Sequence, residues 1–191
     1  EWQPSVPKHV LLYKAFGWEM PVISHLSVIL DPDGGKLSKR KGAVSAKDFI
    51  DQGYLPEAVL NFLMLRGWAP SIKHDFGEKE REIFSLKEFT ALFDMKDVNK
   101  ASPVFNREKL IWFNQKYIQA FTGAELVKKF STWLDGKDRY KDLSAKIKDH
   151  GEEYLEKVLT LEQTRVKLLE DFTASIGFFY YFEGGYDFST V

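Results

Sequence analysis

The 191-residue sequence predicts a mainly α-helical protein whose first residues form the end of an α/β sheet. Two observations predict the helices: capping-box sequences recur along the chain, and apolar residues recur at helical spacing after residue 45. The third observation is that strand-like patterning ends at Leu30 and is followed by a loop rich in glycine and cations. A helix, a strand and a glycine-bearing loop in that order are typical of an α/β sheet, whose ligands gather at the carboxyl ends of its strands.

Composition excludes several classes of protein. The chain is 44% hydrophobic and 29% charged. It has no apolar run near the roughly 18 residues that cross a bilayer, so we expect neither a membrane span nor extensive disorder. The lack of cysteine excludes a disulfide framework and a thiolate zinc site, and it fits a reducing compartment, so we expect a cytoplasmic protein. We also expect a monomer without zinc or any other metal site of its own. Because the net charge is -1, a nucleic-acid partner would have to meet a local basic patch.

The first part of the chain predicts a helix followed by a strand. Ser5 is placed to cap a helix that Gly17 ends. Residues 22–30 have the composition of a strand, and the glycine-bearing sequence over 31–35 predicts a turn after it. After this turn the chain enters the loop rich in glycine and cations, which begins at Lys36.

The remainder predicts a series of helices. Capping boxes begin at Ser45, Ser85 and Thr122, each with an acidic residue three positions later. Residues 56–66 are apolar nearly all round, which predicts a central buried helix. Asn106 can cap a further helix, on which one face is expected to carry Leu110, Phe113, Asn114 and Tyr117.

Towards the end of the chain the pattern stays helical. Residues 152–159 predict one helix, and the sequence Thr-x-x-Gln at Thr160 predicts the cap of another over 160–172. Residues 182–191 contain a Gly-Gly pair and are expected to be irregular.

The loop after residue 35 is the strongest candidate for a functional site. Lys36, Lys39 and Arg40 could neutralise the charge that builds on a triphosphate when a carboxylate attacks its α-phosphorus, and Ser38 could add a hydroxyl contact. A solvated surface loop is the alternative for such a run of cations. A Walker A loop fits poorly, because its Gly-Lys would be followed by Ser or Thr and here Leu37 follows.

Residues 36–40, Lys-Leu-Ser-Lys-Arg, resemble the KMSKS signature of class I aminoacyl-tRNA synthetases, and the sequence around them resembles the bacterial-type glutamyl-tRNA synthetases. A five-residue motif is weak evidence, but the likeness recurs in order over most of the chain. It includes Pro7-Lys8-His9, His25 with the run to Leu30, Gln52-Gly53-Tyr54-Leu55-Pro56-Glu57-Ala58, Lys109-Leu110-Ile111-Trp112-Phe113-Asn114, and Arg165-Val166-Lys167-Leu168-Leu169.

The resemblance implies an order of regions. Residues 1–44 would be the C-terminal end of a Rossmann-like catalytic domain with the KMSKS loop. Residues 45–115 would be a helical stem-contact region, and residues 116–191 a truncated first helical subdomain for anticodon binding.

The resemblance also implies a reaction and its site. Glutamate and ATP, with Mg²⁺, would give glutamyl-adenylate, and the glutamyl group would then pass to the 3′ end of tRNA(Glu). Lys36, Ser38, Lys39 and Arg40 are the catalytic candidates, and Lys39 is the residue expected to contact ATP.

The sequence departs from this family in one respect. The companion His-x-Gly-His signature is absent, since all four histidines are isolated: His9, His25, His74 and His150. The family places its glutamate-binding residues before this segment and its anticodon-reading helices after it. We therefore expect the 191-residue chain to be inactive by itself.

Five cations of the later helices are candidates for contacts with tRNA phosphates, namely Arg107, Lys109, Lys116, Lys128 and Lys129. A solvated helix surface is the alternative for each of them. Two other functions remain open. A glutaminyl-tRNA synthetase shares the loop but continues into β-barrels, so the helical second half favours glutamate. A helical RNA-binding or interaction module could keep a vestigial loop.

Overall fold

The computed structural model describes residues 2–37, 45–68 and 81–181. Within these ranges the chain forms ten α-helices, three short 3-10 turns and only isolated β-bridges. The helices are α1 (Val6–Phe16), α2 (Ala46–Asp51), α3 (Pro56–Met64), α4 (Leu86–Leu92), α5 (Arg107–Ala120), α6 (Gly123–Leu134), α7 (Lys141–His150), α8 (Glu152–Glu162), α9 (Leu169–Ser175) and α10 (Gly177–Tyr181).

All three predicted capping boxes form. The Asp48 carboxylate accepts the Ser45 N–H at 2.7 Å while the Ser45 hydroxyl accepts the Asp48 N–H at 3.3 Å. Ser85 and Thr122 make the same reciprocal pair with the glutamate three residues later. Because a capping box satisfies N–H groups that have no partner within the helix, it fixes where α2, α4 and α6 begin.

One apolar core joins the central helices. α3 packs on α5, and α6 packs on α8. Phe62, Phe113, Phe130 and Phe172 are each fully buried in the core, whose first member is Phe49 on α2 and whose last is Tyr180 on α10. α5 is continuous across residues 115 and 116, so the predicted boundary between the two helical regions would lie inside this helix.

Two fully buried asparagines bind backbone groups between helices. Asn114 accepts the Leu55 N–H at 2.7 Å and donates to the Lys167 carbonyl at 2.6 Å. Asn61 accepts the Phe84 N–H at 2.9 Å. Buried backbone groups at chain reversals need such partners, so these two side chains connect α3 and α5 to the segments beside them.

The predicted strand over 22–30 does not form. Only Leu30 makes bridges, antiparallel to Lys36 and parallel to Val104. Val22 is 98% exposed. A strand is stable only beside a neighbour that pairs its N–H and C=O groups. No backbone hydrogen bond joins residues 22–28 to another part of the chain that the structure describes.

Helix α3 is less buried than the sequence predicts. It ends at Met64, and Leu60 and Leu63 are 39% and 43% exposed, whereas Ala58 and Phe62 are fully buried. The reason is that α5 and α4 cover one side of α3. Its apolar run therefore does not correspond to a helix enclosed on all sides.

The prediction of a helix over 160–172 is wrong about the residue at which the helix begins. Thr160 lies inside α8, and its hydroxyl donates to a carbonyl one turn earlier at 2.7 Å. The Gln163 side chain donates to the Ile118 carbonyl at 2.7 Å and so does not cap a helix. The next helix begins only at Leu169, because Thr160 is part of α8 and the Gln163 amide is bonded to α5.

Helix α1 forms as predicted and ends at Gly17, whose φ of 66° is left-handed. Ser5 precedes the helix but makes no side-chain cap, because a 3-10 turn over Gln3–Ser5 already occupies this position. His74 and the predicted irregular tail lie outside the described residues. No helix in the described ranges is long and apolar enough to cross a membrane.

Candidate functional site

The cationic loop begins at a tight chain reversal over residues 29–37. The Leu37 N–H donates to the Ile29 carbonyl at 3.0 Å, beside the antiparallel bridge between Leu30 and Lys36. The turn that the sequence predicts over 31–35 is present and lies within this reversal. It sets the point at which the loop leaves the fold.

The turn at the end of this reversal depends on Asp31 and two glycines. The Asp31 carboxylate accepts the Asp33 N–H at 3.1 Å, and the Asp31 N–H donates to the Gly35 carbonyl at 3.0 Å. Gly34 and Gly35 have φ of 87° and 80°, a region that glycine enters without the steric strain of a side chain. The sequence therefore reverses here because two adjacent residues can take left-handed backbone.

The base of the reversal is attached to the helical part of the molecule. The Leu30 N–H donates to the Pro103 carbonyl, and the Phe105 N–H donates to the Leu30 carbonyl, both at 2.8 Å. The buried Phe105 ring packs against Phe62 and Phe49, with centroids 5.2 Å and 5.9 Å away. The start of the loop is thus fixed to the residues that lead into α5.

Lys36 is the catalytic candidate that the described residues include. Its side chain is exposed at the stem of the reversal. Ser38, Lys39 and Arg40 lie outside the described residues. The ATP contact of Lys39 accordingly stays a prediction.

Two of the five candidate tRNA contacts are already in ion pairs. Lys109 Nζ lies 2.6 Å from a carboxylate oxygen of Glu82, and Lys129 Nζ pairs with the Glu57 carboxylate. All four side chains are partly exposed, so each pair adds little stability and can exchange its partner.

The other three candidates are more open. Arg107 donates to the Gln52 side chain at a long 3.5 Å. Lys116 and Lys128 are exposed, and neither forms an ion pair with any residue that the structure describes. These three cations could meet phosphate without first breaking an ion pair.

Trp112 is a feature that the sequence interpretation missed. It lies half-buried on α5, with Lys109 Nζ 3.9 Å and Lys116 Nζ 6.0 Å from its ring. The spacing of three and then four residues was the available signal, because it places all three side chains on one helix face. An aromatic face between two cations can both stack with a base and neutralise phosphate.

Large apolar side chains are exposed on α1 and the segment after it. Phe16 and Trp18 stack with their ring centroids 4.7 Å apart although each is 61% exposed. The other members are Leu11, Leu12, Val22 and Leu26. Exposed apolar clusters of this kind mark contact surfaces.

Charged groups in the described ranges do not form a metal site. No three His, Asp or Glu residues there are close enough to hold a metal ion. His9, His25 and His150 are separate and exposed.

Comparison with known proteins decides the family. Residues 1–112 match the family model for the catalytic domain of class I tRNA synthetases (E and Q). The chain belongs to this family. It is 41% identical to the glutamate–tRNA ligase of Chlorobium phaeobacteroides over 186 residues, which cover 95% of this chain and 35% of that protein. The glutamate–tRNA ligase of Acinetobacter baumannii is 37% identical over 94% of this chain and 32% of its own length.

Solved structures agree with this synthetase assignment. A crystal structure of a glutamate tRNA ligase from Elizabethkingia meningosepticum in complex with its amino acid matches with a TM-score of 0.71 and 31% identity. The match covers 97% of this synthetase chain and 38% of that chain. The predicted fold class and the family resemblance are confirmed, and the chain spans about a third of the length of these relatives.

Proposed function

We propose that this chain is part of a cytoplasmic glutamate–tRNA ligase and supplies its KMSKS loop and helical tRNA-binding regions. The observation that carries the proposal is the 41% identity to a glutamate–tRNA ligase over 95% of the chain, loop included. The reaction begins when the glutamate carboxylate attacks the α-phosphorus of ATP. Pyrophosphate leaves, and glutamyl-adenylate forms. A ribose hydroxyl at the 3′ end of tRNA(Glu) then attacks the acyl carbon, and AMP leaves.

The loop cations stabilise the transition state of the first step. Negative charge accumulates on the phosphates as pyrophosphate departs, and Lys36, Lys39 and Arg40 neutralise it together with Mg²⁺. Lys39 contacts ATP, and the Ser38 hydroxyl adds a hydrogen bond. The fixed base at Leu30 supports this role, because cations stabilise a transition state best when their positions are set before the reaction.

The helical second half favours glutamate over glutamine. A glutaminyl-tRNA synthetase is expected to continue into β-barrels after the loop. The described residues after position 45 form helices from α2 to α10, with no β-barrel among them. The relatives reported above are glutamate–tRNA ligases as well.

The proposed regions follow the order that the sequence predicts. Residues 1–44 end the catalytic domain, residues 45–115 contact the acceptor stem, and residues 116–191 begin the anticodon-binding part of a monomer. The exposed apolar cluster on α1 supports the first assignment, since the ATP-holding half of a catalytic domain would cover it.

A chimera tests the proposed activity. This chain replaces the matching segment of the Chlorobium phaeobacteroides enzyme, and the product is incubated with ATP, Mg²⁺, tRNA and radiolabelled glutamate or glutamine. We expect glutamate, and not glutamine, to be attached to tRNA(Glu), whereas the isolated chain attaches neither. A chimera that folds, as judged by circular dichroism, but charges no tRNA would contradict the proposal and favour a vestigial loop.

Binding of tRNA by the isolated chain tests the helical surface. Fluorescence anisotropy with labelled tRNA(Glu) gives the dissociation constant at several salt concentrations. We expect Lys116→Ala and Lys128→Ala each to reduce the slope of log affinity against log salt by about 0.7 to 0.9, the value for one phosphate contact. Lys157→Ala is the control, because Lys157 pairs with Glu153 along α8. Slopes that match the unmodified chain in both test variants would remove α5 and α6 from the tRNA interface.

A further inference from the structure

The segment before α5 runs alongside the segment that leads into the KMSKS loop. The Ser27 hydroxyl donates to the Lys100 carbonyl at 2.6 Å, and the Leu30 N–H donates to the Pro103 carbonyl at 2.8 Å. Both bonds join residues that are 73 positions apart in the chain, and the Phe105 N–H donates back to the Leu30 carbonyl. The two segments therefore keep one parallel register up to Leu30.

Leu30 is paired on both of its sides. It forms a parallel bridge with Val104 and an antiparallel bridge with Lys36, the first residue of the loop motif. Successive side chains of a paired segment point to opposite faces, and accordingly Leu37 packs against the core whereas Lys36 is exposed. The backbone position of residues 103–105 is thus passed through Leu30 to the first cation of the loop.

The ring of Phe105 holds this backbone in place. It is buried, edge-on to the Phe62 ring of α3 with centroids 5.2 Å apart and stacked on the Phe49 ring of α2 at 5.9 Å. The next residue, Asn106, caps α5 by accepting the Lys109 N–H at 2.9 Å. Because the ring lies in a packed core and its neighbour lies in a cap, the bridging backbone has one favoured position.

The position of a cation decides how well it stabilises a transition state. Charges act on developing phosphate charge only when they are in place before the reaction, and a misplacement of about 1 Å can cost about 10²-fold in rate. Phe105→Leu would fill less of the space beside Phe49 and Phe62, and the neighbouring backbone would move partly into the gap. The bridges of Leu30 would pass this movement to Lys36.

We propose that Phe105 is a positioning residue for the activation of glutamate. Its ring sets the backbone that pairs with Leu30, and Leu30 sets where Lys36 lies when ATP is bound. The inference rests on the proposed function, in which Lys36 neutralises charge on the departing pyrophosphate. Phe105 acts only through these two residues, because its own ring is enclosed in the core.

Pyrophosphate exchange by the Chlorobium phaeobacteroides chimera, with glutamate and tRNA present, tests the proposal. We expect Phe105→Leu to lower kcat about tenfold and to change KM for ATP by less than about twofold, because the displaced cation acts mainly on charge that develops in the transition state. Phe172→Leu is the matched control, since it also removes a fully buried ring, which packs on Phe130 of α6 at 5.6 Å. Its kcat should stay within about twofold of the unmodified value.

A double-mutant cycle with Lys36 separates positioning from a general loss of packing. Lys36→Ala should lower kcat about 10²-fold in the unmodified chimera, but only about tenfold in the Phe105→Leu chimera, where the cation is already misplaced. In the Phe172→Leu chimera it should cost the full factor. If Phe105→Leu does not fold, as judged by circular dichroism, Phe105→Met takes its place in the cycle, since methionine adapts better to the space of the ring.

Three results would overturn the positioning role. They are an unchanged kcat in Phe105→Leu, an equal fall in Phe172→Leu, and an equal effect of Lys36→Ala with and without Phe105→Leu. Full exchange by Lys36→Ala together with slow exchange by Lys39→Ala would also overturn it and leave the proposed function in place. Full exchange by both lysine variants would refute the proposed function and this inference with it.

Discussion

Replacing Asn114 by leucine is expected to reduce the free energy of unfolding by about 2 to 4 kcal/mol. The Asn114 side chain is fully buried and bonds the Leu55 N–H at 2.7 Å and the Lys167 carbonyl at 2.6 Å. Leucine is similar in size, so the substitution leaves no cavity and its cost comes from the polar groups. Each buried group without a partner costs about 1 to 3 kcal/mol, and the sum falls below the maximum because Lys167 is an exposed residue and its bond to Asn114 is only partly buried.

Urea unfolding followed by circular dichroism measures this loss. The midpoint should fall while the slope m stays unchanged, because the substitution does not alter the surface exposed on unfolding. Gln115→Leu is the matched control on the same helix, since Gln115 makes only a 3.4 Å contact and should change stability by less than about 0.5 kcal/mol. A cost below about 1 kcal/mol for Asn114→Leu would refute the assignment of two unsatisfied groups.

Three further predictions concern a carboxylate, two tyrosines and two glycines. The backbone N–H of the capping serine, the largest of several hydrogen-bond effects, lowers the pKa of Glu88 to about 2. The Glu88 carboxylate therefore contributes stability above its unfolded pKa of about 4.3, and this contribution is lost as the pH falls through 2. Glu88→Gln should have a smaller free energy of unfolding than the unmodified chain at pH 6, and the two values should converge when unfolding is measured at decreasing pH. Tyr117→Phe should cost about 1 kcal/mol in urea unfolding, because its hydroxyl donates at 3.0 Å to two acceptors. Tyr180→Phe should cost nothing, because the phenol oxygen of Tyr180 is buried and has no hydrogen-bond partner to lose among the described residues. Equal losses in the two tyrosine variants would count against this distinction. Gly53→Ala should lower the thermal stability by about 2 kcal/mol or more, since φ is 91° and a Cβ would lie 2.6 Å from an α9 backbone nitrogen. Gly136→Ala, with a φ of 71° and open space, should cost only about 1 kcal/mol, and similar losses at both glycines would refute the steric argument.

Local signals in the sequence predicted local structure correctly. The capping boxes at Ser45, Ser85 and Thr122 each involve only four consecutive residues, so they form irrespective of the rest of the fold. Asn106 likewise accepts the Lys109 N–H at 2.9 Å and starts α5 as predicted. These predictions depend on no distant partner.

Predictions that needed a distant partner were less reliable. Residues 22–30 have strand composition, but composition cannot supply the neighbouring strand that completes a ladder. Gln163 has the spacing of a capping residue, yet its amide donates to the Ile118 carbonyl, 45 positions away in the chain. Such contacts depend on how helices pack and are not encoded in a short pattern.

The candidate site also combines features that a short sequence predicts with features that depend on distant contacts. The glycine-bearing reversal before the loop could be predicted, because two adjacent glycines and an aspartate favour a turn wherever they occur. The loop's role came from a family resemblance and not from spacing or charge. That Arg66 Nε and Trp68 Nε1 would be buried without a hydrogen-bond partner among the described residues could not be predicted, since it depends on how the surrounding side chains pack.

Lys39→Ala in the Chlorobium chimera shows whether the loop cations stabilise charge on ATP during the activation of glutamate. Glutamate-dependent exchange of pyrophosphate into ATP, with tRNA present, reports the first step of the reaction. The variant should lose about 10²- to 10³-fold in rate, the loss typical of removing one preorganised transition-state contact. Lys47→Ala, which alters an exposed lysine at the start of α2, should exchange at the unmodified rate. Exchange by Lys39→Ala at the rate of Lys47→Ala would mean that the Lys39 side chain does not stabilise charge on ATP.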